Sequence, residues 1–86
     1  MRQLKDVPWE DIREGDFVIS LRGTNGKIAE LRQKEFATHK EDNEVFILWE
    51  NGNISVIWHF DGNIYYNELL NLVLRNSNEI IGNTLG

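Results

Sequence analysis

Few side chains in this 86-residue chain are of the types that carry chemistry. His39 and His59 are its two imidazoles, and imidazole is the side chain whose ordinary pKa suits proton transfer near neutrality. His39 lies in the polar stretch Lys34 to Asn43. His59 ends an apolar run, where the strand register read below sets it opposite Glu44 and Ile64. A metal site built on Glu44 and His59 is at least one ligand short of the usual three or four. Ser20, Ser55 and Ser77 lack the glycine elbow that presents a nucleophilic serine. Gly23 and Gly26 have no following lysine-serine or lysine-threonine pair and no helix behind them, so they read as turn residues rather than a phosphate cradle. The absence of cysteine excludes thiolate catalysis, disulfides and cysteine-based zinc sites together. Asn53-Ile54-Ser55 matches a glycosylation acceptor only by coincidence where no secretory signal is seen. The inventory predicts a non-enzymatic protein that requires no cofactor and no metal.

What remains is binding, and composition bounds its kind. A 41% hydrophobic content in 86 residues is enough for one small core. No apolar run approaches the ~18 residues of a membrane span, and Met1-Arg2-Gln3-Leu4-Lys5-Asp6 lacks the apolar segment of a signal peptide. The expectation is a cytoplasmic protein with no membrane partner. Fourteen Asp and Glu against nine Lys and Arg give a net charge of −5. That balance favours solubility and repels phosphate backbones at long range. The acidic residues are scattered, which argues against an acidic tail or a crowded metal cage.

The elements follow from turn chemistry. Val7-Pro8-Trp9-Glu10-Asp11-Ile12 reads as a short helical turn, with proline at its start and carboxylates in its first turn, placed to lid a barrel. Gly15-Asp16 ends it. Phe17 to Leu21 is a first strand, Gly23 to Gly26 a loop, and Lys27 to Gln33 a second strand whose Ile28, Ala29 and Leu31 break alternation and predict a bulge. Lys34 to Asn43 reads as a loop. From Val45 to Tyr66, the dipeptides Asn51-Gly52 and Asp61-Gly62 divide an apolar stretch into three strands, because both pairs tolerate the positive φ of two-residue hairpin turns. Asn67 to Leu70 suggests one helical turn before a last strand, Asn71 to Arg75. Residues 1–75 then form the domain and residues 76–86 a C-terminal tail, frayed or packed on it through Ile80, Ile81 and Leu85.

Gly15-Asp16-Phe17-Val18, Gly23 and Gly26 before Lys27-Ile28, and Val45-Phe46-Ile47-Leu48-Trp49-Glu50-Asn51-Gly52 occur in an order that resembles small SH3-like barrels of the KOW, Tudor and Mind bomb type. The likeness runs from about Ile12 to Arg75. It implies an all-β fold, a five-stranded antiparallel barrel that binds a partner and catalyses nothing. RNA-binding KOW modules are usually basic and this chain is acidic. A Tudor-type cage would need Trp49, Trp58, Tyr65 and Tyr66 to converge at one rim.

Two-residue turns fix a register. Trp49 then faces Ile54, Ile47 faces Val56, Val45 faces Trp58, and Trp58 faces Tyr65, all on one apolar side that becomes the expected core. The other side collects Phe46, Leu48, Ile57, His59, Ile64 and Tyr66, which is too apolar for a solvated sheet face. It is either covered by the N-terminal turn or the tail, or used for self-association as a homodimer, or used to bind a separate protein. The favoured reading is a protein-interaction module, an accessory or inhibitory protein of a phage or mobile-element kind, suggested by small size and an Asn/Ile-rich composition. The other reading is a nucleic-acid-associated barrel with Arg13, Arg22, Lys27, Arg32 and Lys34 as a basic stripe and aromatics for base stacking.

Overall fold

A computed structural model describes residues 1–33 and 43–85, with side chains through residue 76. Strands β1 (Phe17–Ser20), β2 (Asn25–Arg32), β3 (Glu44–Trp49), β4 (Ile54–Trp58) and β5 (Ile64–Tyr66) form one antiparallel sheet in the order β4-β3-β2-β1-β5. The sheet curls into a half-barrel. Two 3-10 turns, Leu4–Asp6 and Trp9–Asp11, precede it, and helix α1 (Glu68–Leu85) follows it. The five-stranded antiparallel architecture agrees with the expected fold class and the N-terminal turn is present, while the sixth strand that the element reading counted, Asn71 to Arg75, is not a strand.

The β3–β4 hairpin forms where Asn51-Gly52 placed it, but with a different loop. Trp49 N–H donates to Asn53 O at 2.8 Å and Gly52 N–H to Trp49 O at 2.9 Å, so three residues, Glu50, Asn51 and Gly52, lie outside the ladder. Gly52 sits at φ +90°, and Asn51 Oδ1 accepts the Asn53 N–H at 3.0 Å. This is the three-residue loop that ends in a left-handed glycine, and its extra residue shifts the register by one. Phe46 pairs with Val56, Ile47 with Ser55 and Leu48 with Ile54. Because side chains alternate faces, one step of register turns all of β4 over. Ile54, Val56 and Trp58, expected in the core, are exposed at 66%, 53% and 41%. Ile57 and His59, expected outside, point in.

The third strand of the expected meander departs further. After Trp58 the chain turns through an Asp61 N–H to Trp58 O bond of 3.0 Å, and Gly62 is not among the positive-φ glycines. The two-residue turn at Asp61-Gly62 does not form. β5 crosses to the far side of the sheet and pairs with β1, Ile19 opposite Tyr65 and Val18 opposite Tyr66. Ile64 and Tyr66 are therefore core residues, at 7% and 5% exposure.

The strand expected over Asn71 to Arg75 is helix. The alternating Leu70, Leu72 and Leu74 imitate a strand, yet Asn67 caps a helix, accepting from Leu70 N–H on Oδ1 at 3.4 Å and from Asn71 N–H on its carbonyl at 3.0 Å. Glu68 in the first turn adds favourable charge at that end and pairs with Arg2. The helix continues past Arg75 into the segment expected as a tail.

The bulge expected in β2 is present between Ile28 and Glu30. Gly26 is a strand residue rather than a turn residue. A Cβ there would lie 2.6 Å from Trp49 Cε3, so only glycine lets the indole lie flat on β2. Leu4, Val7, Ile12, Val18, Ile28, Val45, Ile47, Ile64 and Tyr66 make the core. Leu4 and Val7 come from the N-terminal turns, which plug the open side of the half-barrel. His59 holds them there: its Nε2–H donates to Val7 O at 2.8 Å, and its ring meets Trp9 edge-on at 5.5 Å.

Two substitutions on the same hairpin separate the two registers. Ile47→Ala opens a fully buried site and should cost about 2–5 kcal/mol. Val56→Ala, on the exposed face, should cost no more than about 1 kcal/mol. Urea unfolding of both variants checks this, and equal losses would contradict the assigned faces.

Candidate functional site

The outer face of the β3–β4 hairpin is an unusually apolar exposed surface for a sheet. Leu48 opposite Ile54 and Phe46 opposite Val56 form two adjacent apolar pairs. Trp58 and Phe60 continue them, their rings stacked 11° from parallel at 6.2 Å. Leu48, Ile54, Val56, Trp58 and Phe60 are all exposed. Toward the centre of the sheet the face becomes charged, because β2 contributes Lys27, Glu30 and Arg32. The Arg32 guanidinium lies over the Phe46 ring at 4.6 Å and its Nε meets Glu30 Oε1 at 3.2 Å. A shallow groove of about 410 Å³ extends the apolar surface from Leu48 across Lys27 to Phe17.

Of the six residues expected on an outer apolar face, Phe46 and Leu48 are there. Ile57, His59, Ile64 and Tyr66 belong to the inner side for the register and strand-crossing reasons given above. The residues that sequence reasoning placed inside, Ile54, Val56 and Trp58, take their place. Ser55 gave no signal for this, since a lone polar strand residue ordinarily faces water; in the observed register it faces inward and accepts the Trp49 indole Nε1–H at 2.8 Å. The expected facing of His59 and Glu44 is also absent, since Glu44 pairs with Trp58 on the outer side.

The described members of the basic stripe do not all line one groove. Arg13 and Lys27 line a groove with Glu14, Asp16 and Arg75. Arg22 lies in the β1–β2 turn, Arg32 is paired with Glu30, and Lys34 lies outside the described residues. Among the described residues no three His, Asp or Glu side chains gather as a metal-binding group. No helix among them is long and apolar enough to cross a membrane.

One polar cluster was not anticipated from the sequence. Asp16, 6% exposed, accepts the Arg13 N–H at 2.9 Å and the Tyr66 hydroxyl at 2.6 Å on Oδ2. Arg75 Nη2 donates to Oδ1 at 2.8 Å and to Oδ2 at 2.6 Å. One turn earlier on α1, Asn71 accepts the Phe17 N–H at 2.6 Å and donates to the Phe17 carbonyl at 3.1 Å. Asn71 and Arg75 stand four residues apart, so they share a helix face, and that face docks α1 on β1. Leu69, Leu72 and Val73 are left exposed.

Burial, then the neighbouring Asp16 carboxylate, pushes the Tyr66 phenol from 10.0 up to about 12. The fold therefore favours the neutral phenol. A raised folded-state pKa contributes stability that is fully present below pH 10 and lost as pH rises toward about 12. The stability advantage of the wild type over Tyr66→Phe should be constant below pH 10 and shrink between pH 10 and about 12. Denaturant titrations at a series of alkaline pH values measure it, and a difference that stays constant to the upper limit would contradict the assignment.

In comparisons with known proteins, no family model matches the chain, and no curated protein or solved structure matches it.

Proposed function

We propose that the chain is a non-catalytic protein-interaction module that docks a partner on the outer face of the β3–β4 hairpin. The observation that carries this reading is the unbroken exposed row Leu48, Ile54, Val56, Trp58 and Phe60 on strands whose other face is already the core. Contiguous apolar patches of more than a few hundred Å² are uncommon on monomers and mark contact sites. The exposed row itself carries no charge, Lys27, Glu30, Arg32 and Glu44 border it on β2 and β3, and aromatic anchors lie within it. Interfaces that bind proteins share that distribution, an apolar middle with a polar rim. The likeness of the opening strand and hairpin to SH3-like barrels, a fold used widely for binding, supports the same reading as an analogy of fold.

The test replaces Leu48 and Ile54 together by threonine, which a solvated strand accepts at a cost of about 1 kcal/mol or less. Immobilised wild type and variant are compared for what each retains from an extract of the native source, with circular dichroism confirming that both are folded. The expected result is a protein retained by the wild type, lost from the variant, and little affected by salt. Equal retention by both would overturn the reading. Retention of nucleic acid that falls steeply with salt would favour the basic residues instead.

A further inference from the structure

The two edges of the sheet are treated differently. β5 is covered: Gln3 bridges to Tyr65, and Tyr66 N–H donates to Arg2 O at 2.9 Å. β4 ends the sheet on the other side, and no strand among the described residues pairs with its outer edge. Its bonds to β3 are made at alternate residues. Trp49 N–H donates to Asn53 O and His59 N–H to Asn43 O, and with the one-to-one register between them Ser55 and Ile57 also face β3. The backbone N–H and C=O groups of Ile54 and Val56 consequently point outward. Natural edge strands are usually blunted by a charge, a proline or a bulge. β4, Ile-Ser-Val-Ile-Trp, has none of these.

We propose that β4 pairs antiparallel with β4 of a second copy, about a two-fold axis at Val56. In that register Val56 meets Val56 and Ile54 meets Trp58 of the second copy on the outer face, while Ser55 meets Ile57 on the inner face. Every pair on the outer face is apolar, and no like charges are brought together. A two-fold pairing of this kind closes on itself and does not propagate.

Area gives the pairing a purpose. The apolar part of one hairpin face comes to five exposed side chains, Leu48, Ile54, Val56, Trp58 and Phe60, whereas a standard interface takes roughly 20–30 residues from each partner. Edge pairing joins two such patches side by side into one band across a ten-stranded sheet. This use of the dimer rests on the docking reading above; the pairing itself does not, and is tested on purified protein.

The chain has no cysteine, so Val56→Cys introduces a unique thiol. Across an antiparallel hydrogen-bonded pair the two Cα atoms lie ~5.5 Å apart, within the range a disulfide spans. Wild type should sediment at twice the mass of one chain, more completely as salt screens the net negative charge. Val56→Cys should oxidise to a covalent dimer at least ~10-fold faster than Leu21→Cys, an exposed control off the edge, because pairing raises the local thiol concentration. Val56→Pro removes an outward N–H, a change edge strands accept, and should give a folded monomer. A wild type that sediments as a monomer, or equal oxidation of the two cysteine variants, would overturn the proposal. These two readouts decide it even if the proline variant does not fold. A monomer that still loses its partner on the Leu48 and Ile54 change would refute the pairing and leave the docking reading standing.

Discussion

Gly52, at φ +90°, decides which side of β4 meets water. A left-handed residue at the third position of the loop sets the strands one residue out of the register a two-residue turn would give. In a sheet with a period of two, that single step exchanges the faces. Ser55 and Ile57 turn toward the core, where the serine satisfies the Trp49 indole and the isoleucine packs. Ile54, Val56 and Trp58 turn to solvent. The apolar outer surface is thus the consequence of a loop choice made against the simplest reading of Asn51-Gly52, and the Ser55 hydroxyl and the flat site at Gly26 hold the inner face to it.

The same crossing that carries β5 away from β4 leaves the barrel half open, and the N-terminal segment fills the gap. Leu4 and Val7 are only 0% and 1% exposed, and large aliphatic side chains buried to that degree contribute about 1.5–3 kcal/mol each. Isolated 3-10 turns are too short to persist alone. Their position is held by burial, by His59 from the end of β4, and by the bridge of Gln3 to β5. On the opposite flank Asp16 draws donors from the Arg13 backbone, from β5 and from α1 onto one carboxylate. Remove one partner of a buried, paired carboxylate and its desolvation is uncompensated. Asp16 therefore couples the helix to the sheet more tightly than the small apolar contact between them would.

The strands, the β2 bulge and the N-terminal lid were legible because each rests on local chemistry: β-rich runs between glycines, broken alternation at Ile28 to Leu31, and proline before a carboxylate turn. Asn51-Gly52 correctly marked a hairpin but not its loop length, since the same dipeptide serves two-residue and three-residue loops. Asp61-Gly62 looked alike and did something else, because β5 pairs with β1 rather than β4 and there joins Tyr66 to Asp16. That contact spans fifty positions and leaves no local trace. Helix α1 was missed for a different reason: Leu70, Leu72 and Leu74 alternate like a strand, while the signals for a helix, Asn67 as a cap and the spacing of Asn71 and Arg75, gain meaning only beside Phe17 and Asp16. The candidate surface inherited both the register error, which moves Ile57 and His59, and the missed crossing of β5, which moves Ile64 and Tyr66, so two of its six expected residues, Phe46 and Leu48, lie where the sequence placed them.

Register is the claim on which the exposed face, the docking reading and the edge pairing all stand, and it can be read directly. In an antiparallel pair that is not hydrogen-bonded the Cα atoms approach to about 4.5 Å, and the facing Hα protons give strong nuclear Overhauser contacts. The observed register gives Hα–Hα contacts between Phe46 and Val56 and between Leu48 and Ile54. Contacts between Ile47 and Val56 and between Trp49 and Ile54 in their place would put β4 back in the two-residue register, bury the proposed surface, and contradict the account.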